Sequence, residues 1–109
     1  MVKLIALFKK PEDVEGFEKH YSEIHIPLFK KLPGLRSIEV SRITGAPIGE
    51  TASYLLTEMY FDSRGVLDES LASPAGRAAA RDLISFAAKN VTLMYADVNL
   101  REEIPSFGD

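Results

Sequence analysis

The sequence predicts an α+β domain whose elements run β-α-β-β-α-β, a split βαβ arrangement with a four-stranded antiparallel sheet and both helical stretches on one face. Three observations carry this. Residues 2–8 (Val-Lys-Leu-Ile-Ala-Leu-Phe) are almost continuously apolar, as a strand covered on both faces is. Val14, Phe17, Tyr21, Ile24 and Leu28 recur at spacings of three and four, the stripe of an amphipathic helix. Residues 53–61 alternate two sets of side chains over nine positions, the period of a strand.

Taken in order, residues 2–8 form the first strand. Pro11 opens the first helix, where its missing N–H costs nothing, and Glu12 and Asp13 suit the positive end of the helix dipole. Pro33-Gly34 closes that helix. In the second strand, residues 35–43, Ile38, Val40 and Arg42 alternate with Glu39 and Ser41. Residues 44–50 are a loop too long for a tight hairpin. The third strand, 53–61, puts Tyr54, Leu56, Glu58 and Tyr60 on one face and Leu55, Thr57, Met59 and Phe61 on the other. Asp62-Ser63 offers a cap for a short helix over 66–71. Ser73-Pro74 restarts the helix over 74–89 as N-cap and first residue, with Ala79, Leu83, Phe86 and Ala87 as its apolar stripe. Residues 91–98 are the last strand. The unit is one domain over 1–98, with a tail over 99–109 in which Ile104 and Phe107 stand as isolated anchors.

A sheet with helices on one face has a second face to cover, and neither face of the third strand is polar. That predicts a homodimer in which two sheets meet. The net charge of 13 minus 16, or −3, without a dense basic run argues against a nucleic-acid partner. The absence of cysteine excludes disulfides, thiolate zinc sites and cysteine nucleophiles. The apolar start is too short for a signal core or a membrane span, so a cytoplasmic protein with no membrane partner is expected.

Both histidines, His20 and His25, lie in the first helix beside Pro27. At about 100° per residue, His25 sits about 60° to one side of the apolar stripe and His20 about 80° to the other. They are then about 140° apart, and a straight helix cannot aim both at one metal ion, so no metal site is expected. His25 borders the face that meets the sheet and is the candidate general acid or base, since imidazole titrates near neutrality. Pro27 frees the carbonyl of Glu23 and crowds it, which predicts a kink with room for a ligand. The plainer alternative is a boundary histidine bonded to a carbonyl and a proline that bends the helix around the core. His20 and Tyr21 are candidate ligand contacts, or a solvent-edge residue and a core ring respectively. Tyr54, Glu58 and Tyr60 either position a polar ligand, with Tyr60 as the contact, or form a hydrogen-bonded dimer interface. Gly45-Ala46-Pro47-Ile48-Gly49 lacks the Lys-Ser/Thr ending of a phosphate loop, and no serine sits in a Gly-x-Ser-x-Gly elbow.

Phe17-x-x-His20-Tyr21-x-x-x-His25-x-Pro27-Leu28, followed by Lys31-Leu32-Pro33-Gly34-Leu35, resembles the EthD-like family of ethyl tert-butyl ether degradation. Glu58-Met59-Tyr60-Phe61-Asp62-Ser63 and Ala72-Ser73-Pro74-Ala75-Gly76-Arg77 extend the likeness in order and spacing. The resemblance implies a ferredoxin-like monomer that pairs into a dimeric α+β barrel. It also implies His25 as the leading polar residue of a cleft between the first helix and the sheet, with His20 and Tyr21 beside it. The function expected is an oxidoreductase or related enzyme acting, without a cofactor, on a small apolar or aromatic molecule. The alternative is a non-catalytic module that binds a hydrophobic ligand or serves an oxidative or polyketide-type pathway. Haem binding is a third reading, since histidine ligates haem on some related barrels.

Overall fold

A computed structural model describes residues 1–106. Its elements are β1 (Val2–Lys9), α1 (Val14–His20), a π-helical turn (Tyr21–His25), α2 (Ile26–Phe29), β2 (Ser37–Arg42), β3 (Ser53–Phe61), α3 (Arg64–Ala72), α4 (Pro74–Ala87) and β4 (Val91–Asp97). The four strands are antiparallel in the order β2-β3-β1-β4. With α1 to α2 as the first helical stretch and α3 with α4 as the second, this is the β-α-β-β-α-β order read from the sequence.

The core lies between one sheet face and the helices. Val2, Leu4, Ala6 and Phe8 of β1 and Leu55, Thr57, Met59 and Phe61 of β3 are all buried on that face. Phe17, Tyr21 and Phe29 meet them from the first helical stretch, and Leu67, Ala79, Leu83 and Ala87 from the second. On the opposite face Lys3, Ile5, Leu7, Leu56, Glu58 and Tyr60 are only half-buried. This face is mostly apolar around one ion pair, Lys3 Nζ to Glu58 Oε2 at 2.6 Å.

Caps fix the helix starts. The first helix begins at Val14 and not at Pro11, because the Asp13 carboxylate accepts the Gly16 N–H at 3.0 Å and so terminates the free donors there. Ser63 and Ser73 accept from Val66 and Gly76 in the same way, and Pro74 follows as the first residue of α4. Gly34, at φ 79°, takes the left-handed conformation that ends the first stretch after Pro33.

Two expectations fail locally. Tyr54 does not join Glu58 and Tyr60 on the open face but packs on Phe17 of α1, ring centroids 6.2 Å apart. The cause is a register shift: Phe8 pairs with Leu55 and Lys9 with Ser53, leaving Tyr54 as the extra residue of a bulge that re-aims its side chain. Ile104 does not dock, being 83% exposed like its neighbour Leu100 at 75%. Phe107, the other expected anchor, lies outside the described residues. Among the described residues no helix is long and apolar enough to cross a membrane.

Candidate functional site

The first helical stretch does not keep the phase its sequence suggests. Its buried positions are Phe17, Tyr21, His25, Phe29 and Leu32, whereas Ile24 is 47% exposed. The helix widens instead of kinking: the Ile26 N–H donates to the Tyr21 carbonyl five residues back, the bond of a π turn. Pro27 explains the placement. It cannot donate to the Glu23 carbonyl and would crowd it in a regular α turn, and a wider turn relieves that contact. The extra residue absorbs about 100° of rotation, so the expected separation of about 140° between the two imidazoles falls to about 40°.

Both histidines therefore reach one carboxylate, against the expectation from a straight helix. Asp82 of α4 takes His20 Nε2 on Oδ1 at 2.8 Å and His25 Nδ1 on Oδ2 at 2.8 Å. Phe86, one turn further along α4, lies against both rings, with centroids 4.5 Å from His20 and 5.0 Å from His25. Phe29 meets the His25 ring edge-on at 4.0 Å. His25 is 0% exposed, and its Nε2 is a buried atom without a hydrogen-bond partner. The carboxylate accepts the hydrogen bond of Nδ1–H, which leaves the Nε2 lone pair unengaged within an aromatic enclosure.

Burial lowers the His25 pKa below 6.5 despite the opposing pull of Asp82, and His20 adds to the lowering. The folded chain therefore takes up this proton less readily than the unfolded chain. Above about pH 6.5 the imidazole is neutral in both states and its contribution to stability is complete. As pH falls through 6.5 the unfolded state gains a proton that the folded state refuses, so stability drops, by at most about 1.4 kcal/mol per pH unit, until the lower folded pKa is passed. Urea unfolding of wild type and His25→Gln between pH 7.5 and 5 should show a steeper acid loss in wild type. Parallel slopes would count against a neutral, buried His25.

The Tyr21 hydroxyl is hydrogen-bonded to the buried Thr57 hydroxyl of β3. Burial, opposed by that bond and aided by the Glu18 charge, pushes its pKa up to about 12, so it is a neutral phenol. His25, His20 and Tyr21 thus stand together on the helix side of the sheet. Tyr60 does not join them. It lies on the open sheet face, with Lys3 Nζ 5.6 Å from its ring centroid, and one chain cannot bring it to His25. Among the described residues no group of three or more His, Asp or Glu is arranged to hold a metal ion. Asp82 and Thr57 are site residues that sequence reasoning missed. Asp82 had a signal, standing three residues after Ala79 and four before Phe86 of the apolar stripe.

A β2-β3-β1-β4 antiparallel sheet with helices on one face defines a ferredoxin-like α+β protein, here with a histidine–aspartate pair where the first helical stretch meets α4. The profile of the EthD domain matches residues 9–90, and the chain belongs to the EthD family. It is similar to a solved ethyl tert-butyl ether (EthD) family protein from Bacillus halodurans, with 45% identity, a TM-score of 0.86, and coverage of 90% of this chain and 98% of that one. It is 29% identical over 97 residues, 89% of this chain and 94% of the other, to an uncharacterised 11.0 kDa protein of the thcB-thcC intergenic region of Rhodococcus erythropolis. A dimeric protein of unknown function with a ferredoxin-like fold from Bacteroides fragilis is 23% identical, with a TM-score of 0.58 and coverage of 89% and 95%.

Proposed function

We propose that this chain is a small enzyme that moves a proton on an apolar or aromatic molecule, with His25 as general base and then general acid. The observation that carries this is the His25 ring itself: Nδ1 tied to Asp82 at 2.8 Å and Nε2 buried without a partner. The large majority of buried polar side-chain atoms are hydrogen-bonded, so an orphaned ring nitrogen calls for an explanation. A neutral imidazole with its tautomer set by a carboxylate is a base ready to accept. A π turn at this position agrees, since such turns gather at functional sites. Proton transfer needs no cofactor. Deprotonation also prepares an electron-rich substrate for oxidation by O2, which is the oxidoreductase form of the same reading.

The working unit we propose is a cytoplasmic homodimer joined through the open sheet faces. The half-buried apolar surface around Ile5, Leu7 and Leu56 supports this, as does the dimeric neighbour of like fold.

A thermal-shift screen of small aromatic metabolites supplies the test, since a ligand that binds only the folded state raises its apparent stability. For a compound that is turned over, His25→Gln should lose about 10²–10⁴-fold in rate, the usual worth of a general acid–base group. Full turnover by His25→Gln would sink the catalytic role. One observation favours a second reading: at 0% exposure His25 meets no ligand without movement around it. A non-catalytic binding module would hold the same compound equally well in wild type and His25→Gln and return it unchanged.

A further inference from the structure

The helix layer is incomplete at the β4 edge of the sheet. Leu93 and Tyr95 point to the helix side, paired across β1 with Ala6 and Leu4, yet they are 49% and 51% exposed. Between them and α4 lies a cavity of about 210 Å³ walled by Leu4, Phe29, Leu71, Ala79, Leu83 and Leu93. α4 presents small side chains here, Ala79 and Ala80, where a larger residue would close the gap. A cavity of about 150 Å³ with aliphatic and aromatic walls stays dry and admits benzene. At about 210 Å³, this space is large enough for a single benzene ring with one or two small substituents.

Its wall holds one polar group. The Tyr95 hydroxyl is the one side-chain polar group among the lining residues, and the Tyr95 ring is fixed from above by the Arg64 guanidinium, Cζ 3.6 Å from the centroid. Arg64 is in turn held by Asp68 at 2.9 Å. A ring that enters with one hydroxyl finds a partner for that oxygen at Tyr95 and apolar contact elsewhere. Phe29 links this space to the site above, since the same side chain that walls the cavity lies 4.0 Å from the His25 ring.

We infer that the cavity between α4 and β4 binds a monocyclic phenol, its ring against Phe29 and Leu83 and its oxygen at Tyr95. That this phenol is the molecule on which His25 acts rests on the acid–base reading above; its seat does not.

The test is a 19F NMR titration of the full chain with 4-fluorophenol, using fluorobenzene as the probe without oxygen. Wild type should bind both saturably, the phenol more tightly. Tyr95→Phe should weaken the phenol about three- to tenfold and leave fluorobenzene unchanged, the worth of one hydrogen bond. Ala80→Phe, at the exposed rim of α4, should weaken both probes by about tenfold or more by filling the space with a ring of its own. Ala79→Leu repeats this from the inner wall. No saturable shift in wild type, or equal binding by both filled variants, overturns the proposal. So does a result in which Ala80→Phe alters only self-association in sedimentation, which would make the cavity a seat for a second copy of the chain. His25→Gln should bind 4-fluorophenol as wild type does, so a failed catalytic reading leaves this result standing.

Discussion

Asp82→Asn is expected to leave the fold standing and turn the His25 imidazole into the wrong tautomer. The amide keeps the size of the carboxylate, so the packing of both imidazoles on Phe86 survives. It offers one acceptor where Asp82 offers two, and both are in use, at 2.8 Å from each histidine. With the amide oxygen on His20, the amide N–H meets His25 Nδ1, which must then accept, and the proton moves to Nε2. 15N NMR of the imidazole should show that exchange directly. A substrate turned over by wild type should be turned over about 10²–10⁴-fold more slowly, because the lone pair that serves as base is gone. Loss of stability should stay at about 1–3 kcal/mol. Asp82→Ala is the harsher change: it leaves a fully buried imidazole with neither nitrogen partnered, an orphaned donor that costs about 1–3 kcal/mol, and it removes the carboxylate's packing and its bond to His20 as well. Urea unfolding should therefore rank wild type, Asp82→Asn and Asp82→Ala in that order. If Asp82→Asn kept both the Nδ1–H tautomer and full turnover, the carboxylate would have no orienting role.

The strands were legible because a period of two does not drift. Val2, Leu4, Ala6 and Phe8, and Leu55, Thr57, Met59 and Phe61, face the core as alternation demands, and only the bulge at Tyr54 breaks the rule. The second helical stretch was legible for a related reason: Ser63 and Ser73 announce their own caps. The first stretch was legible as a helix but not in its phase. A 3.6-residue period read through residues 21–25 puts Ile24 inside, whereas the π turn puts His25 there. Nothing in spacing alone reveals that extra residue, although Pro27 marks where a regular turn is strained. The site suffered twice from this. His20 was separated from His25 by an angle the wider turn removes, and the group that joins them, Asp82, lies 57 residues along the chain from His25. Sequence proximity identified two members of the array, and only packing of α4 on the first stretch supplied the third.

The π turn carries its own test, and its two arms have opposite signs. Deletion of Ile24 removes an exposed residue and returns the stretch to an ordinary α-helix in which Phe17, Tyr21, His25, Phe29 and Leu32 fall at spacings of four, three, four and three. At about 100° per residue these all stay within about 40° of one line, so the buried face survives without the wider turn. His20 and His25 would then be four residues apart and still about 40° from each other, within reach of Asp82. Insertion of one alanine after Ile24 does the reverse. It rotates everything beyond by about 100° and turns His25, Phe29 and Leu32, all now buried, away from the sheet. Exposing Phe29 and Leu32 alone costs about 3–6 kcal/mol, a sum comparable with the whole stability of a domain this size. The deletion removes little burial but returns Pro27 to a regular α turn, so it should cost about 3 kcal/mol in urea unfolding and leave the chain folded, while the insertion should leave the chain largely unfolded by circular dichroism. A deletion as damaging as the insertion would show that the stretch has no α-helical alternative and that the turn is not a one-residue surplus.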